Sequence, residues 1–275
     1  MRAQRVTAPF GRRRVRIVAR EQHGAYTVLR CGDRQGPRPQ AGQFYMLAAA
    51  ERWGGGDGER PYLPRAFSVL RASTSGRELE FLLEDVGPGT NRLSELGPGE
   101  DLVLTGPLGS GFATPREGRR ALLVGGGVGI APLAIWQDQL GLTTTVLLGF
   151  RDALHAHAAT LLNGARVATD DGAVGHHGLV TELLEAELRR DPAAEVYACG
   201  PPAMLEAVRL LCSESEVPAQ LALEAGMACG FGACFGCVVA TVRGYVRLCV
   251  DGPVLEASEL RSVTEEQSRV GGAGR

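Results

Sequence analysis

The chain has 275 residues, a formal charge of -2 at pH 7 and 44% apolar residues. That length holds two or three domains of about 100–150 residues and excludes a peptide hormone or a disulfide miniprotein. The near-neutral charge argues against a nucleic-acid binder, whose affinity rests on neutralising phosphates. No apolar run approaches the roughly 20 residues of a membrane helix, so no membrane partner is expected.

All 29 basic residues are arginines, which excludes Schiff-base chemistry, a P-loop lysine and a lysine base. The 38 glycines are about twice the average share of ~7%. They fall in short clusters, the pattern of loops that approach a ligand closely. Residues 1–18 carry arginines but no apolar stretch before a cleavage site, so no signal peptide and a reducing cytoplasm are expected.

In chain order, residues 1 to about 115 read as short strands between Gly/Pro turns. Strands are expected at Val15–Val18, Tyr26–Leu29, Phe44–Leu47, Phe67–Leu70 and Arg77–Glu84, where Leu79, Phe81 and Leu83 alternate as in a half-buried strand. Residues 52–60, rich in glycine, are expected to form a mobile surface loop. Turns are expected at Gly87-Pro88-Gly89, Gly97-Pro98-Gly99 and Gly106-Pro107. This spacing predicts an antiparallel barrel or sandwich over 1–115.

The pattern changes near Arg116. Ala121–Val124, Val146–Phe150 and Glu195–Cys199 read as buried strands. Pro132–Leu140, the row Leu179, Val180, Leu183, Leu184, Leu188, and the row Met204, Leu205, Val208, Leu211 read as helices. Strand and helix alternate, which predicts a parallel α/β domain over 116–220. Residues 221–275 form a separate cysteine- and glycine-rich segment, with a disordered end at 271–275.

Seven cysteines, four of them between Cys229 and Cys249, do not form a disulfide framework. Cys229, Cys234, Cys237 and Cys249 have the C-x4-C-x2-C…C spacing of a plant-type [2Fe–2S] site. Three thiolates converge from one tight loop, Gly230, Gly232 and Gly236 let amides turn toward the sulfurs, and the fourth thiolate closes the site. Structural zinc and disulfides are the alternatives. Cys31 and Cys212 read as small apolar packing residues.

Gly125-Gly126-Gly127-Val128-Gly129, with Pro132 opening the following helix, suits a pyrophosphate at a helix N-terminus. A plain strand-to-helix turn is the alternative. Arg65-Ala66-Phe67-Ser68 offers a phosphate partner, an aromatic and a hydroxyl on one strand, and Gly89-Thr90 offers amides and a hydroxyl; ordinary strand residues and a common turn are the alternatives. Cys199-Gly200 ends a strand, where open parallel sheets bind ligands; strand-closing packing is equally open. The histidines point to no metal site: His155 and His157 do not share a helix face, and His176-His177 read as a solvated turn.

The order of these motifs (R-x-F-S, G-x-G-T, Gly106-Pro107-Leu108-Gly109, the glycine loop, then C-G-P) resembles the ferredoxin–NADP reductase superfamily. The tail, Glu224 to Val239 and then Arg247-Leu-Cys249-Val-Asp251-Gly252-Pro253-Val254, is similar to the electron-transfer subunits of dihydroorotate dehydrogenase B. The family's usual R-P-I/L-S is here Arg65-Ala66-Phe67-Ser68. The resemblance implies an FAD-binding β-barrel, a Rossmann-like NAD-binding domain and a small C-terminal [2Fe–2S] domain.

By the same resemblance, Arg65, Gly89 and Thr90 would hold FAD phosphates, and Ala66, Phe67, Ser68, Leu82, Leu83 and Glu84 would lie along the flavin. Gly125, Gly126, Gly127, Gly129, Pro132, Cys199 and Gly200 would line the NAD path. Electrons would pass from the FMN of a dihydroorotate-oxidising partner, in a heterotetramer, through the cluster and FAD to NAD+, in pyrimidine biosynthesis. A catalytic (β/α)8 barrel alone takes about 250 residues, so it belongs to another chain. Subunits of electron-bifurcating ferredoxin/NAD(P)H reductases or sulfide dehydrogenases share the layout and are the alternative. The sequence leaves NAD against NADP open; Arg151 is a candidate for a 2′-phosphate.

Overall fold

The computed structural model describes residues 11–54, 60–141 and 143–261. Residues 55–59 of the expected loop and the expected disordered end lie outside them. Strands β1 (Arg12–His23), β2 (Tyr26–Gly32), β3 (Phe44–Ala49), β4 (Arg65–Ala72), β5 (Glu78–Glu84) and β6 (Asp101–Leu108) close an antiparallel barrel in the order β1-β2-β5-β4-β3-β6. In β1 the exposed Arg14 and Arg16 alternate with buried Val15 and Ile17, the period of a strand with one wet face. Leu79, Phe81 and Leu83 of β5 are fully buried.

Strand β3 departs from alternation: all six residues are buried. Tyr45, Leu47 and Ala49 face the barrel core, while Phe44 and Met46 on the opposite face pack against the cysteine-bearing tail. A strand covered on both sides carries a continuous apolar run, and Phe44-Tyr45-Met46-Leu47 is such a run.

Two expected turns are corrected. Gly106-Pro107 lies inside β6, because without a Cβ Gly106 can pass over the Tyr45 ring; an added Cβ would sit 2.5 Å from its Cδ1. Gly87-Pro88-Gly89 starts helix α1 (Pro88–Ser94), where a proline near the first helical position loses no hydrogen bond.

The second layer follows a strand–helix alternation. It runs β7 (Arg120–Gly126), a 3-10 turn (Gly127–Ile130), α2 (Ala131–Leu140), β8 (Thr145–Phe150), α3 (Ala153–Ala156), β9 (Ala165–Thr169), β10 (His176–His177), α4 (Val180–Arg190), β11 (Ala194–Cys199), α5 (Pro202–Glu214) and β12 (Ala219–Ala222). The tail adds a hairpin, β13 (Val238–Thr241) and β14 (Gly244–Arg247), then α6 (Leu248–Asp251) and β15 (Val254–Glu256). The sheet order is β10-β9-β8-β7-β11-β12-β15, with β15 antiparallel to β12. His176-His177 is thus a strand at the sheet edge, and His176 Nε2 lies 2.6 Å from a Glu182 carboxylate oxygen.

The two layers are joined by polar as well as apolar contacts. The Ala25 amide in the β1–β2 turn donates to the Leu154 carbonyl of α3. Arg71 of β4 reaches Asp138 of α2 at 3.0 Å and the Leu161 carbonyl at 2.6 Å.

Inside the barrel wall Arg13 donates through Nε to Asp33 at 2.7 Å, and a second guanidinium nitrogen meets the other carboxylate oxygen. Asp33 is only 1% exposed and Arg13 11%. Breaking such a pair strands a buried cation and costs about 3–5 kcal/mol. Asp33→Ala is therefore expected to lower unfolding stability by roughly 3 kcal/mol in urea titration; an unchanged midpoint would show that the pair contributes nothing.

Candidate functional site

The parallel sheet grows in one direction from β7 through β8, β9 and β10, and in the other through β11 and β12. The strand order therefore reverses between β7 and β11, and ligands of open α/β sheets bind beyond the carboxyl ends at such a crossing. Those ends carry Gly125–Gly129 and Cys199-Gly200. The two loops touch through their backbones: a Cβ at Gly129 would lie 2.5 Å from the Cys199 carbonyl oxygen, and one at Gly200 would lie 3.0 Å from the Gly126 amide nitrogen. Gly125 and Gly126 end β7, Gly127 has φ 55, and Pro132 sits in the first turn of α2.

Facing this crossing is a cleft of about 160 Å³. It is lined from the barrel by Phe44, Ala66, Phe67, Ser68 and Leu82, and from the sheet by Val128, Gly129 and Ala131. Leu223, Glu224, Ala225, Met227 and Pro253 of the tail complete it. The structure therefore brings Ala66, Phe67, Ser68, Leu82 and Gly129 together. Arg65 and Gly89 also meet, since a Cβ at Gly89 would fall 2.7 Å from Arg65 Nε. The Thr90 hydroxyl is engaged locally: it accepts from the Val86 and Gly87 amides and donates to the Gly87 carbonyl.

Two expected flavin contacts point elsewhere. Leu83 faces the barrel core. The Glu84 carboxylate pairs with Arg151 and lies 3.3 Å from His155 Nε2. Arg151 Nε also donates to His155 Nε2 at 2.9 Å. That nitrogen is then the acceptor, so the other ring nitrogen, 2.6 Å from Asp152, carries the proton.

Sequence reasoning missed Glu224. Its exposed side chain lines the cleft, and desolvation by the surrounding protein raises its carboxyl pKa. Burial first, and the Glu224 charge second, also raise the adjacent Cys199 thiol. The available signal was an acid just past a strand, in the apolar run Leu221-Ala222-Leu223-Glu224-Ala225, at the ligand-binding end of the sheet.

The four tail cysteines gather beside this cleft. Gly230 and Gly232 have φ 78 and 91, the left-handed backbone that favours glycine. They turn the loop so that amides point inward. The Gly236 amide approaches Cys234 Sγ at 3.5 Å, and the Cys249 amide approaches Cys237 Sγ at 3.4 Å. Burial raises the Cys229 thiol, but hydrogen bonds from the Phe231, Cys234 and Ala233 amides and from the Cys234 thiol bring it down to about 6. Cys249 is pushed up to about 12 by burial and by the neighbouring Cys237 and Cys229.

Among the described residues no group of three or more metal-ligating side chains closes around a single ion. A two-iron cluster spans more than one ion, and the thiolate-favouring amides of this loop suit a cluster of that kind. Cys31 and Cys212 are buried away from the loop, as expected of packing residues.

A barrel with a cleft at the crossing of a parallel sheet, and a tail of four converging cysteines, define a flavin reductase with an attached iron–sulfur segment. Residues 224–261 match the model of the iron–sulfur cluster binding domain of dihydroorotate dehydrogenase B. The dihydroorotate dehydrogenase B (NAD(+)) electron transfer subunit of Geobacillus sp. is 38% identical over 73% of this chain and 80% of its own. That of Caldanaerobacter subterraneus is 37% identical over 82% and 89%. The chain belongs to the family of dihydroorotate dehydrogenase B electron transfer subunits.

Among solved structures, the NADH-dependent reduced ferredoxin–NADP oxidoreductase, described for flavin-based electron bifurcation, superposes with a TM-score of 0.74. It is 25% identical over 94% of this chain and 92% of its own. A ferredoxin NADP+ reductase from Neisseria gonorrhoeae with bound FAD and NADP shares the fold, with a TM-score of 0.59 at 19% identity over 74% and 91%. No helix among the described residues is long and apolar enough to cross a membrane.

Thiol chemistry gives a direct check. In the metal-free chain at pH 7, Cys229, lowered to about 6, is mostly thiolate, whereas Cys249, raised to about 12, is protonated; the thiolate is the reactive form. Iodoacetamide at pH 7 is expected to label Cys229 well ahead of Cys249 in peptide mass spectrometry. Labelling of Cys229 itself should slow below pH 6, where its thiolate protonates. Equal labelling at pH 7 would contradict the amide-stabilised thiolate.

Proposed function

We propose that this chain carries electrons from the FMN of a separate dihydroorotate dehydrogenase catalytic subunit to NAD+, in the cytoplasm, as half of a heterotetramer serving pyrimidine synthesis. The observation that carries the reading is the shared wall of the cleft: barrel, sheet and cysteine tail all line one cavity. In that cavity FAD would exchange two electrons with NAD as a hydride and single electrons with a [2Fe–2S] cluster, the conversion a flavin supplies.

The roles follow from chemistry and position. Arg65, beside Gly89 and over the Trp53 ring at 5.9 Å, neutralises FAD phosphate with its planar fork. Ala66, Phe67, Ser68 and Leu82, which line the cleft, would hold the flavin, with Leu83 and Glu84 following Leu82 on β5. Gly127 and Gly129 let amides at the start of α2 approach the nucleotide pyrophosphate, with Gly125, Gly126 and Pro132 shaping the loop. Cys199-Gly200 backs the nicotinamide. Cys229, Cys234, Cys237 and Cys249 hold the cluster. Glu224 holds a proton at the cleft, beside Cys199, to higher pH than an ordinary carboxylate. We assign residues 1–115 to flavin binding, 116–220 to the nucleotide and 221–275 to the cluster.

Engagement of Arg151 with Glu84 and His155 leaves it poorly placed for a 2′-phosphate and supports NAD. The bifurcating reductase shares the fold, but the relatives at 38% and 37% identity described above are dihydroorotate dehydrogenase subunits, which favours the first reading.

The chain with its cofactors is expected to reduce an artificial one-electron acceptor with NADH, faster than with NADPH. Dihydroorotate should be oxidised only after an FMN-bearing catalytic subunit is added. Steady-state assays of the chain with and without that subunit test this. Dihydroorotate oxidation by the chain alone, or preference for NADPH, would contradict it.

A further inference from the structure

Phe44 belongs to two environments at once. It lines the cleft, and it is 3% exposed in a small apolar core with Met46, Leu108, Cys237, Leu248, Cys249 and Leu255. Two of those neighbours are cysteines of the converging set. The strand pleat places Phe44 and Met46 on one face of β3, and Met46 is pressed on the loop itself: a Cβ at Gly230, next to Cys229, would lie 2.5 Å from Met46 Cγ.

The other end of the cysteine segment is fastened to the barrel. The Ser110 amide donates to the Gly252 carbonyl at 2.6 Å and its hydroxyl to the same oxygen at 3.1 Å. A Cβ at Gly109 would sit 3.1 Å from Phe44 Cε1. Protein cores are close-packed and transmit displacement. A shift of the cysteine loop therefore reaches the cleft through the Phe44 ring.

We propose that Phe44 is a positioning residue that couples loading of the four-cysteine loop to flavin binding in the cleft. Resting on the functional reading above, this goes beyond it. With iron bound, Cys237 and Cys249 are fixed, the small core is complete, and the ring is held where the cleft needs it. With the loop empty, the core loosens and the wall moves. Coupling of this kind is reciprocal: FAD must tighten cluster retention by the same factor.

The test uses the full chain under anaerobic conditions. FAD affinity is measured by flavin fluorescence before and after removal of iron with a chelator, in the wild type, Phe44→Ala and Phe44→Leu. In the wild type, iron removal is expected to weaken FAD binding by about 5- to 150-fold, the usual span of coupling between sites. In Phe44→Ala that ratio should fall toward one, and in Phe44→Leu, which refills part of the volume, to an intermediate value. The rate of iron loss to the chelator should fall with FAD in the wild type and not in Phe44→Ala.

Equal FAD affinity with and without iron in the wild type overturns the inference. So does a Phe44→Ala chain that keeps the full wild-type ratio. Should Phe44→Ala fail to fold, the Leu variant decides: a reduced ratio supports the coupling and an unchanged ratio overturns it. A chain that binds neither FAD nor iron overturns the functional reading together with this inference. A chain that binds both independently overturns the inference alone.

Discussion

Strand β3 cannot leave Phe44 and Met46 on the outside of the barrel in water without cost. Burying such side chains contributes about 1.5–3 kcal/mol each, and the cysteine-bearing tail supplies the cover. This contact holds the tail against the barrel on one side, while β15 pairs with β12 and holds it against the sheet on the other. The tail is therefore a wedge between the two larger layers, and the cleft exists because three parts of the chain meet there.

The same wedge explains how one small protein can join two-electron and one-electron chemistry. The glycine loop and the Cys199-Gly200 turn sit at the crossing of the sheet, the end of open α/β sheets at which ligands bind. The cysteines sit on the far side of the Phe44 wall. The cleft between the two is lined by Ala66, Phe67 and Ser68 of the barrel, and a flavin bound there is the link the proposed function requires.

Much of this was legible in the residues. Alternation in Leu79, Phe81 and Leu83 marked a half-buried strand, short apolar runs before glycines marked the parallel sheet, and the cysteine spacing marked the cluster loop. What stayed hidden depends on tertiary context. Gly106-Pro107 reads as a turn by composition but continues a strand because of what it packs over. The side-chain partners of Glu84 and Leu83, Arg151 for one and the barrel core for the other, could not be read from the sequence. Glu224 sits among apolar residues and reads as an ordinary surface acid until the fold places it in the lining of the cleft. The unbroken apolar run of β3 was the overlooked clue that the outer face of the barrel is covered.

The central claim is that four cysteines of the tail hold a [2Fe–2S] cluster beside a flavin. Iron, acid-labile sulfide and flavin analysis of the anaerobically isolated chain, with its visible spectrum, tests this most directly. The account predicts about two irons and two sulfides per chain with about one FAD. Stoichiometric zinc in a colourless protein, or a correctly folded chain with neither iron nor sulfide, would contradict it.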